Sequence, residues 1–126
     1  MSVAWLTSSH FTPSDIRDLT PVAVIEVADH DLEALAVTLA GYEIIVTSGV
    51  ALGEILRRCR WIRGVIGVGP DAHILLDWSN AERRGLLVTL IEADGRVAID
   101  HVRTALTNMN RQLRSLDEIA EGWEGT

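Results

Sequence analysis

Apolar residues fall into two patterns along this chain, short continuous runs and stripes with helical spacing. Three runs rich in β-branched residues, at 21–28, 43–47 and 63–69, predict buried strands. Between them apolar residues recur at three- and four-residue steps, which predicts two amphipathic helices. The positions expected to face inward are Leu32, Leu35, Ala36 and Leu39 in the first helix and Leu52, Ile55, Leu56 and Cys59 in the second. This alternation of strands and helices favours right-handed crossovers and a parallel sheet.

Residues typical of helix ends support the first of these helices. Asp29 or Asp31 is expected to cap its beginning, because a short carboxylate side chain can accept hydrogen bonds from the first free amides. Gly41 is expected to end it, because glycine tolerates the left-handed conformation found after many helices. In the second helix Arg57, Arg58 and Arg60 should face outward.

The pattern changes after Pro70. The segments 73–78 and 86–92 predict two strands, and the polar loop 79–85 between them is short enough for an antiparallel pair. A last stripe predicts one face of a long helix, and its members are Ile99, Val102, Leu106, Met109, Leu113 and Leu116. We therefore expect one α/β domain of three layers, with a mixed, mostly parallel sheet and helices on both faces, of the Rossmann or flavodoxin-like kind.

The ends of the chain are expected to lie outside this domain. Residues 1–20 contain Ser, Thr and Pro and predict an ill-ordered N-terminal arm, residues 21–118 form the domain, and residues 119–126 form a fraying tail. The segment 1–20 lacks the basic and apolar regions of a signal peptide, and the chain has no apolar run of membrane-spanning length. The lone Cys59 suits a reducing compartment. These features predict a cytoplasmic protein.

Charge narrows the classes of partner. The formal net charge is −7, and all 11 basic residues are arginines. An acidic chain repels a phosphate backbone, so nucleic-acid binding is not expected. One alternative takes 82–95 and 96–106 as the helices of a winged-helix DNA-binding regulator. The β-branched residues near Leu87 and the net negative charge of the chain weigh against it.

The glycines and histidines do not predict catalysis. Gly64, Gly67 and Gly69 reverse the dinucleotide-binding spacing and lie inside a predicted strand, which favours close backbone packing. A phosphate-binding P-loop requires a lysine, so the chain should neither hydrolyse ATP by itself nor bind it tightly. The four histidines form no metal-ligand pair, and although His73 and Asp77 could share a strand face, no activated nucleophile accompanies them. We assign no catalytic residue and no metal ligand.

Between Thr47 and Leu90 short motifs follow one another without gaps. They are Ser48-Gly49 before the second helix, Asp71-x-His73 after the third strand, Trp78-x-Asn80, and Thr89-Leu90. In type and spacing this series resembles the small subunit of the factors that reactivate diol and glycerol dehydratases. The segment 101–116 looks like a divergent form of the final helix of that family, and the likeness covers about two-thirds of the chain.

The resemblance implies a role in cofactor rescue. Reactivating factors pair a small subunit, which has the fold of the dehydratase β subunit, with a large ATPase subunit similar to Hsp70. By exchange against the β subunit they open a dehydratase and release its damaged cobalamin. The implied partners are thus the large ATPase subunit and the dehydratase α subunit as client. ATP and Mg²⁺ would be bound by the large subunit and cobalamin by the client, with no cofactor on this chain. Ser48, Gly49, Asp71, His73, Trp78 and Asn80 are the implied partner-binding residues.

The resemblance also implies properties that the sequence leaves open. The isolated chain could form homo-oligomers, and the protein could be associated with a microcompartment. The family has a glutamate near the end of the first helix that helps a divalent cation bridge the two subunits, but here residues 38–41 read Thr-Leu-Ala-Gly. The nearest carboxylates, Glu33 and Glu43, do not align with it. A second alternative is a β-subunit-like component of a B12-dependent dehydratase itself.

Overall fold

In the computed structural model the chain forms an α/β domain built on a five-stranded, all-parallel sheet. The structure describes residues 2–7, 22–27, 31–69, 72, 78–93 and 95–124. The strands are β1 Val3–Thr7, β2 Val22–Glu26, β3 Ile44–Ser48, β4 Gly64–Val68 and β5 Leu87–Ile91. The helices are α1 Leu32–Thr38, α2 Gly53–Arg58, α3 Trp78–Arg83 and α4 Gly95–Glu124.

The strand order is β2-β1-β3-β4-β5, the flavodoxin-like order of doubly wound sheets. Helices lie on both faces. One face packs the aliphatic residues of β1, β3 and β4 against α4, and the other packs them against α1, α2 and α3. The predicted three-layer α/β class is confirmed.

The two predicted amphipathic helices form with the expected faces. Asp31 caps α1 by accepting a hydrogen bond from the Ala34 amide at 2.7 Å, and Gly41 follows the helix with a φ of +92°. Of the positions predicted to face inward, Leu35 in α1 and Ile55 and Leu56 in α2 are buried. Cys59 is fully buried just after α2. In α4 the predicted stripe is buried from Ile99 to Leu113, whereas Leu116 is half-exposed.

The expected N-terminal arm is wrong for its first residues. Val3–Thr7 forms β1, which lies between β2 and β3 and is buried along its whole length. The sequence Val-Ala-Trp-Leu-Thr is itself a mostly apolar strand pattern, and most of the Ser, Thr and Pro content on which the arm was based follows it. Residues 8–21 lie outside the described residues.

The expected mixed sheet is also wrong for the described strands, which are all parallel. β5 runs parallel to β4, with Gly64 opposite Leu87 and Val68 opposite Ile91. The segment 79–85 was predicted to be a loop, but most of it belongs to helix α3, which provides the crossover that a parallel connection requires. The strand predicted at 73–78 falls mostly on residues outside those described.

Two further boundaries differ from expectation. α4 continues to Glu124, so most of the predicted fraying tail is helical. Leu87–Ile91 is a strand of the sheet, so the helix that a winged-helix regulator requires at 82–95 is interrupted there. No helix in the part of the chain that the structure describes combines the length and hydropathy needed to cross a bilayer.

Candidate functional site

The carboxyl ends of the strands are where doubly wound folds bind ligands, in particular at the point where the strand order reverses. In this sheet that point lies between β1 and β3, whose last residues, Thr7 and Ser48, are paired in register. Both side chains are hydroxyls and both are buried. The switch point is therefore closely packed around these two residues.

Ser48 is held by a tryptophan of the neighbouring strand. The Trp5 indole N–H donates a hydrogen bond to Ser48 Oγ at 3.2 Å, and both residues are almost fully buried. A buried indole N–H needs an acceptor, and the Ser48 hydroxyl is placed to be one. Of the predicted partner-binding residues, Ser48 thus serves to anchor the end of β3, and its side chain presents almost no surface.

The turn after Ser48 reaches the surface. Gly49 is exposed and has a φ of +70°, a conformation that glycine adopts with little strain. The Thr47 hydroxyl donates to the Val50 carbonyl at 3.4 Å, and Val50 is buried, so both sides of the turn are tied to the core. We call residues 47–50 the Gly49 turn. It presents Gly49 rigidly at the carboxyl edge of the sheet.

The other predicted site residues fall on or before α3. Trp78 is the first residue of that helix, but its side chain lies outside the described part of the structure. Asn80 is half-buried on the same helix, and its main-chain carbonyl accepts from the Arg84 amide at 3.1 Å. Asp71 and His73 are outside the described residues. The structure thus gives an accessible position for Gly49 and a partly accessible one for Asn80.

Within the described ranges, no cluster of three or more His, Cys, Asp or Glu residues could hold a metal ion. Cys59 is enclosed in the core, and burial raises the pKa of its thiol, with Arg84 opposing the rise. The thiol therefore stays protonated at neutral pH. Cys59 is a small core residue, as the sequence indicated.

Two of the three glycines of the third predicted strand, Gly64 and Gly67, serve close packing, which confirms the interpretation made from the sequence for these two. Gly69 differs, because it follows β4 with a φ of +108° and a Cβ there would meet no atom within 4 Å. A Cβ on Gly64 would overlap Met109 Sδ of α4, and one on Gly67 would lie 3.0 Å from Leu90 Cδ2 and 3.2 Å from the Ala72 Cβ. Both glycines lie within β4, away from any strand-to-helix turn.

Comparisons with protein-family models, curated proteins and solved structures found no match to this chain. The site must therefore be interpreted from its own residues.

Sequence reasoning missed an arginine that fastens two helices together. The Arg84 guanidinium donates hydrogen bonds to the main-chain carbonyls of Leu56, Cys59 and Ile62, the last two at 3.3 and 3.4 Å. Carbonyls at the end of a helix lack intrahelical partners, so a cation placed there stabilises the end of α2. The only sequence signal was the Arg83-Arg84 pair before Gly85, which was taken for part of a polar loop.

Sequence reasoning also missed a groove along the edge of the sheet. The groove has a volume of about 620 Å³ and lies between all of β5 and one side of α4. The polar residues of α4 that line it are His101, Thr104, Asn108 and Gln112. The groove exists because β5 is the last strand of the described sheet. The sequence did not predict it, because the order of the strands in a sheet cannot be derived from local sequence patterns.

Proposed function

We propose that this chain is a non-catalytic subunit that works by binding other proteins, as the small subunit of a factor that reactivates a B12-dependent diol or glycerol dehydratase. The observation that carries the proposal is the Gly49 turn, which is anchored to the core and exposed at its tip. It coincides with the Ser48-Gly49 motif of the sequence resemblance. A rigid, exposed turn loses little conformational entropy when a partner binds it.

The residues around the turn suit a scaffold more than a reaction centre. At the switch point of the sheet, Thr7 and Ser48 have buried hydroxyls, and Ser48 is engaged with the Trp5 indole. A general acid or base must reach a substrate, and a nucleophile needs an activating neighbour. We therefore assign nucleotide chemistry to the large ATPase subunit and radical chemistry to the dehydratase, with the cytoplasm as the compartment of all three.

The partner contact at the end of α1 should not depend on a divalent cation. The Thr38 hydroxyl there donates to the Ala34 carbonyl at 2.9 Å, and Leu39 is buried. The Glu43 carboxylate already has a cationic neighbour, because its Oε2 lies 3.7 Å from Nη1 of Arg63. Because Mg²⁺ strongly prefers carboxylate oxygens, shape and apolar contact must carry the affinity for the large subunit.

The test is co-purification of the tagged chain with the large subunit of a diol dehydratase-reactivating factor from the same organism. We expect a complex that survives EDTA. Replacing Gly49 by Asn, which tolerates a positive φ, should weaken the complex because a side chain then projects from the turn. Gly85→Asn is the matched control, because Gly85 is exposed with a φ of +66° but precedes β5 at the opposite end of the strands.

A second measurement tests the activity itself. With the large subunit, ATP and Mg²⁺, the chain should release cyanocobalamin from an inactivated dehydratase, read from the absorbance of the protein fraction after gel filtration. Failure to bind the large subunit would refute the proposal. Restoration of activity to a dehydratase depleted of its β subunit, by this chain alone, would identify it instead as a dehydratase component. Loss of the complex in EDTA, restored by Mg²⁺, would show that Glu33 or Glu43 supplies a cation ligand.

A further inference from the structure

Among the described strands β5 is the edge of the sheet, and its sequence does little to prevent further pairing. It is the last strand in the sheet order and pairs only with β4 among the described strands. Edge strands are commonly protected by charged residues, proline or a bulge. Leu-Val-Thr-Leu-Ile contains neither charge nor proline, and its register with β4 is unbroken.

The hydrogen bonds of β5 to its neighbour show which main-chain groups face outward. The Leu87 amide donates to the Arg63 carbonyl at 3.1 Å, and the Ile91 carbonyl accepts from the Gly69 amide at 2.9 Å. Along a strand, the main-chain groups of successive residues point alternately to the two sides. Those of Val88 and Leu90 therefore face away from β4, into the groove.

We propose that β5 pairs antiparallel with β5 of a second copy of this chain, about a two-fold axis at Thr89, so that two five-stranded sheets become one. The two outward-facing residues fit this register, because Val88 of one copy then lies opposite Leu90 of the other. Each such pair exchanges two main-chain hydrogen bonds, as required of a hydrogen-bonded antiparallel pair. The same pair occurs once on each side of the axis, which is the self-complementarity of an isologous interface.

The side chains of β5 repeat about the same centre. Aliphatic residues flank Thr89 symmetrically on both sides, so Leu87 meets Ile91 of the second copy, and the two threonines meet at the axis. Cross-strand aliphatic and Thr–Thr pairs are favourable neighbours. A heterologous partner strand would not need this symmetry, and the symmetry therefore favours a second copy as the occupant.

Charges at the two ends of β5 agree with antiparallel pairing. Glu92 follows the strand and lines the groove, while the exposed Arg83 precedes it. Antiparallel pairing brings the acidic end of one copy towards the basic end of the other and keeps the two Glu92 side chains apart. An axis normal to the sheet also places both α4 helices on one side, where the groove-lining residues Thr104, Asn108 and Gln112 of the two copies face each other.

Sedimentation velocity of the isolated chain across the micromolar range is the first measurement, and we expect a monomer–dimer equilibrium. Thr89→Lys should weaken the dimer at least about tenfold, because two ammonium groups then meet at the axis. Thr89→Glu should do the same, and mixing the two variants should restore a dimer containing one of each. Thr107→Lys is the matched control, since Thr107 is exposed on a different side of α4 from the groove. Circular dichroism and thermal melting confirm that each variant folds.

Cysteine cross-linking tests the axis without adding charge. Residues at Thr89 would form a non-hydrogen-bonded antiparallel pair with Cα atoms about 4.5 Å apart, within the range of a disulfide. Thr89→Cys should therefore oxidise to a covalent dimer, whereas Thr107→Cys should not, and the native Cys59 is buried. A monomer at every concentration, or a dimer that neither Thr89→Lys nor Thr89→Cys affects, would overturn the proposal. Neither result bears on the large ATPase subunit, because that protein is absent from the experiment.

Discussion

Replacing Gly64 by alanine tests how tightly α4 is seated on the sheet. The added Cβ would overlap Met109 Sδ and lie 3.2 Å from Met109 Cγ, and Met109 is itself 3% exposed, so its side chain has little room to move. Overpacking of this kind costs about 1–3 kcal/mol, while alanine recovers about 0.5–1 kcal/mol of the conformational cost of glycine within a strand. We expect a net loss of about 0–2.5 kcal/mol in the free energy of unfolding.

The double variant separates the steric contact from other effects of alanine. Met109→Ala alone should cost about 2–5 kcal/mol, because it leaves a cavity above β4. In the double variant the methyl group added at position 64 no longer meets the Met109 side chain, so the combined loss should fall short of the sum by the steric cost, about 1–3 kcal/mol. Gly67→Ala is the control, since Gly67 packs against Leu90 on the opposite face of the sheet and should not couple to Met109.

The assay is equilibrium unfolding in urea, followed by tryptophan fluorescence, with the buried Trp5 among its reporters. Additive losses for Gly64→Ala and Met109→Ala would refute the contact. A Gly64→Ala variant more stable than the wild type would do so as well, since alanine would then gain its conformational advantage without a steric cost.

Four further outcomes are expected. Leu106→Asp should unfold the domain, because it places a carboxylate among buried aliphatic side chains, whereas Arg103→Ala on the exposed side of α4 should leave the thermal midpoint nearly unchanged. Ser48→Ala should cost about 1–3 kcal/mol in urea unfolding, because it removes the acceptor of a buried indole N–H. The raised pKa of Cys59 favours the native state while the thiol is protonated, so stability should fall as the pH rises above about 8.5, by at most about 1.4 kcal/mol per pH unit, and Cys59→Ala should remove this component. Calorimetry should detect no micromolar binding of ATP to the isolated chain, and such binding would contradict the assignment of nucleotide chemistry to a partner.

The elements predicted correctly are those with strong periodic signals. The stripes of α1, α2 and α4 and the β-branched runs of β3 and β4 mark mostly residues that the structure buries. The run of β2 does form a strand, but Val24 there is exposed and Ile25 is buried. Such patterns can be recognised in a sequence because burial of one side of a helix makes apolar residues recur with a period of 3.6. Burial of both faces makes a parallel strand almost uniformly apolar.

The elements predicted wrongly are short and depend on context. β1 has five residues, and its apolar run was outweighed by the polar segment that follows it. α3 has six, and although Ala81, Glu82 and Arg83 are good helix formers, three such residues are too short a run to outweigh the loop character of Ser79 and Asn80. Because α3 was taken for a loop, β5 was paired in the wrong direction.

The candidate site was less predictable than the fold. Gly49 was found through a motif, and its exposure and positive φ agree with a surface turn. That Ser48 would be buried under Trp5 depends on the register between β1 and β3, which no local pattern encodes. The Arg84 contacts and the β5 groove likewise arise from residues brought together by the sheet order.

The central place of β1 has a consequence for the order in which the protein folds. Val3 pairs with Ile44, 41 positions along the chain, whereas Ile44 pairs with Gly64 after 20 positions and Gly64 with Leu87 after 23. Longer loops cost more entropy to close, by about 0.6 kcal/mol for each doubling, so β3, β4 and β5 should associate before β1 inserts. β2 joins the sheet through β1, so the two strands should open together. Their amides are expected to exchange hydrogen with solvent through a shared partial unfolding of lower free energy than the opening of β3 and β4.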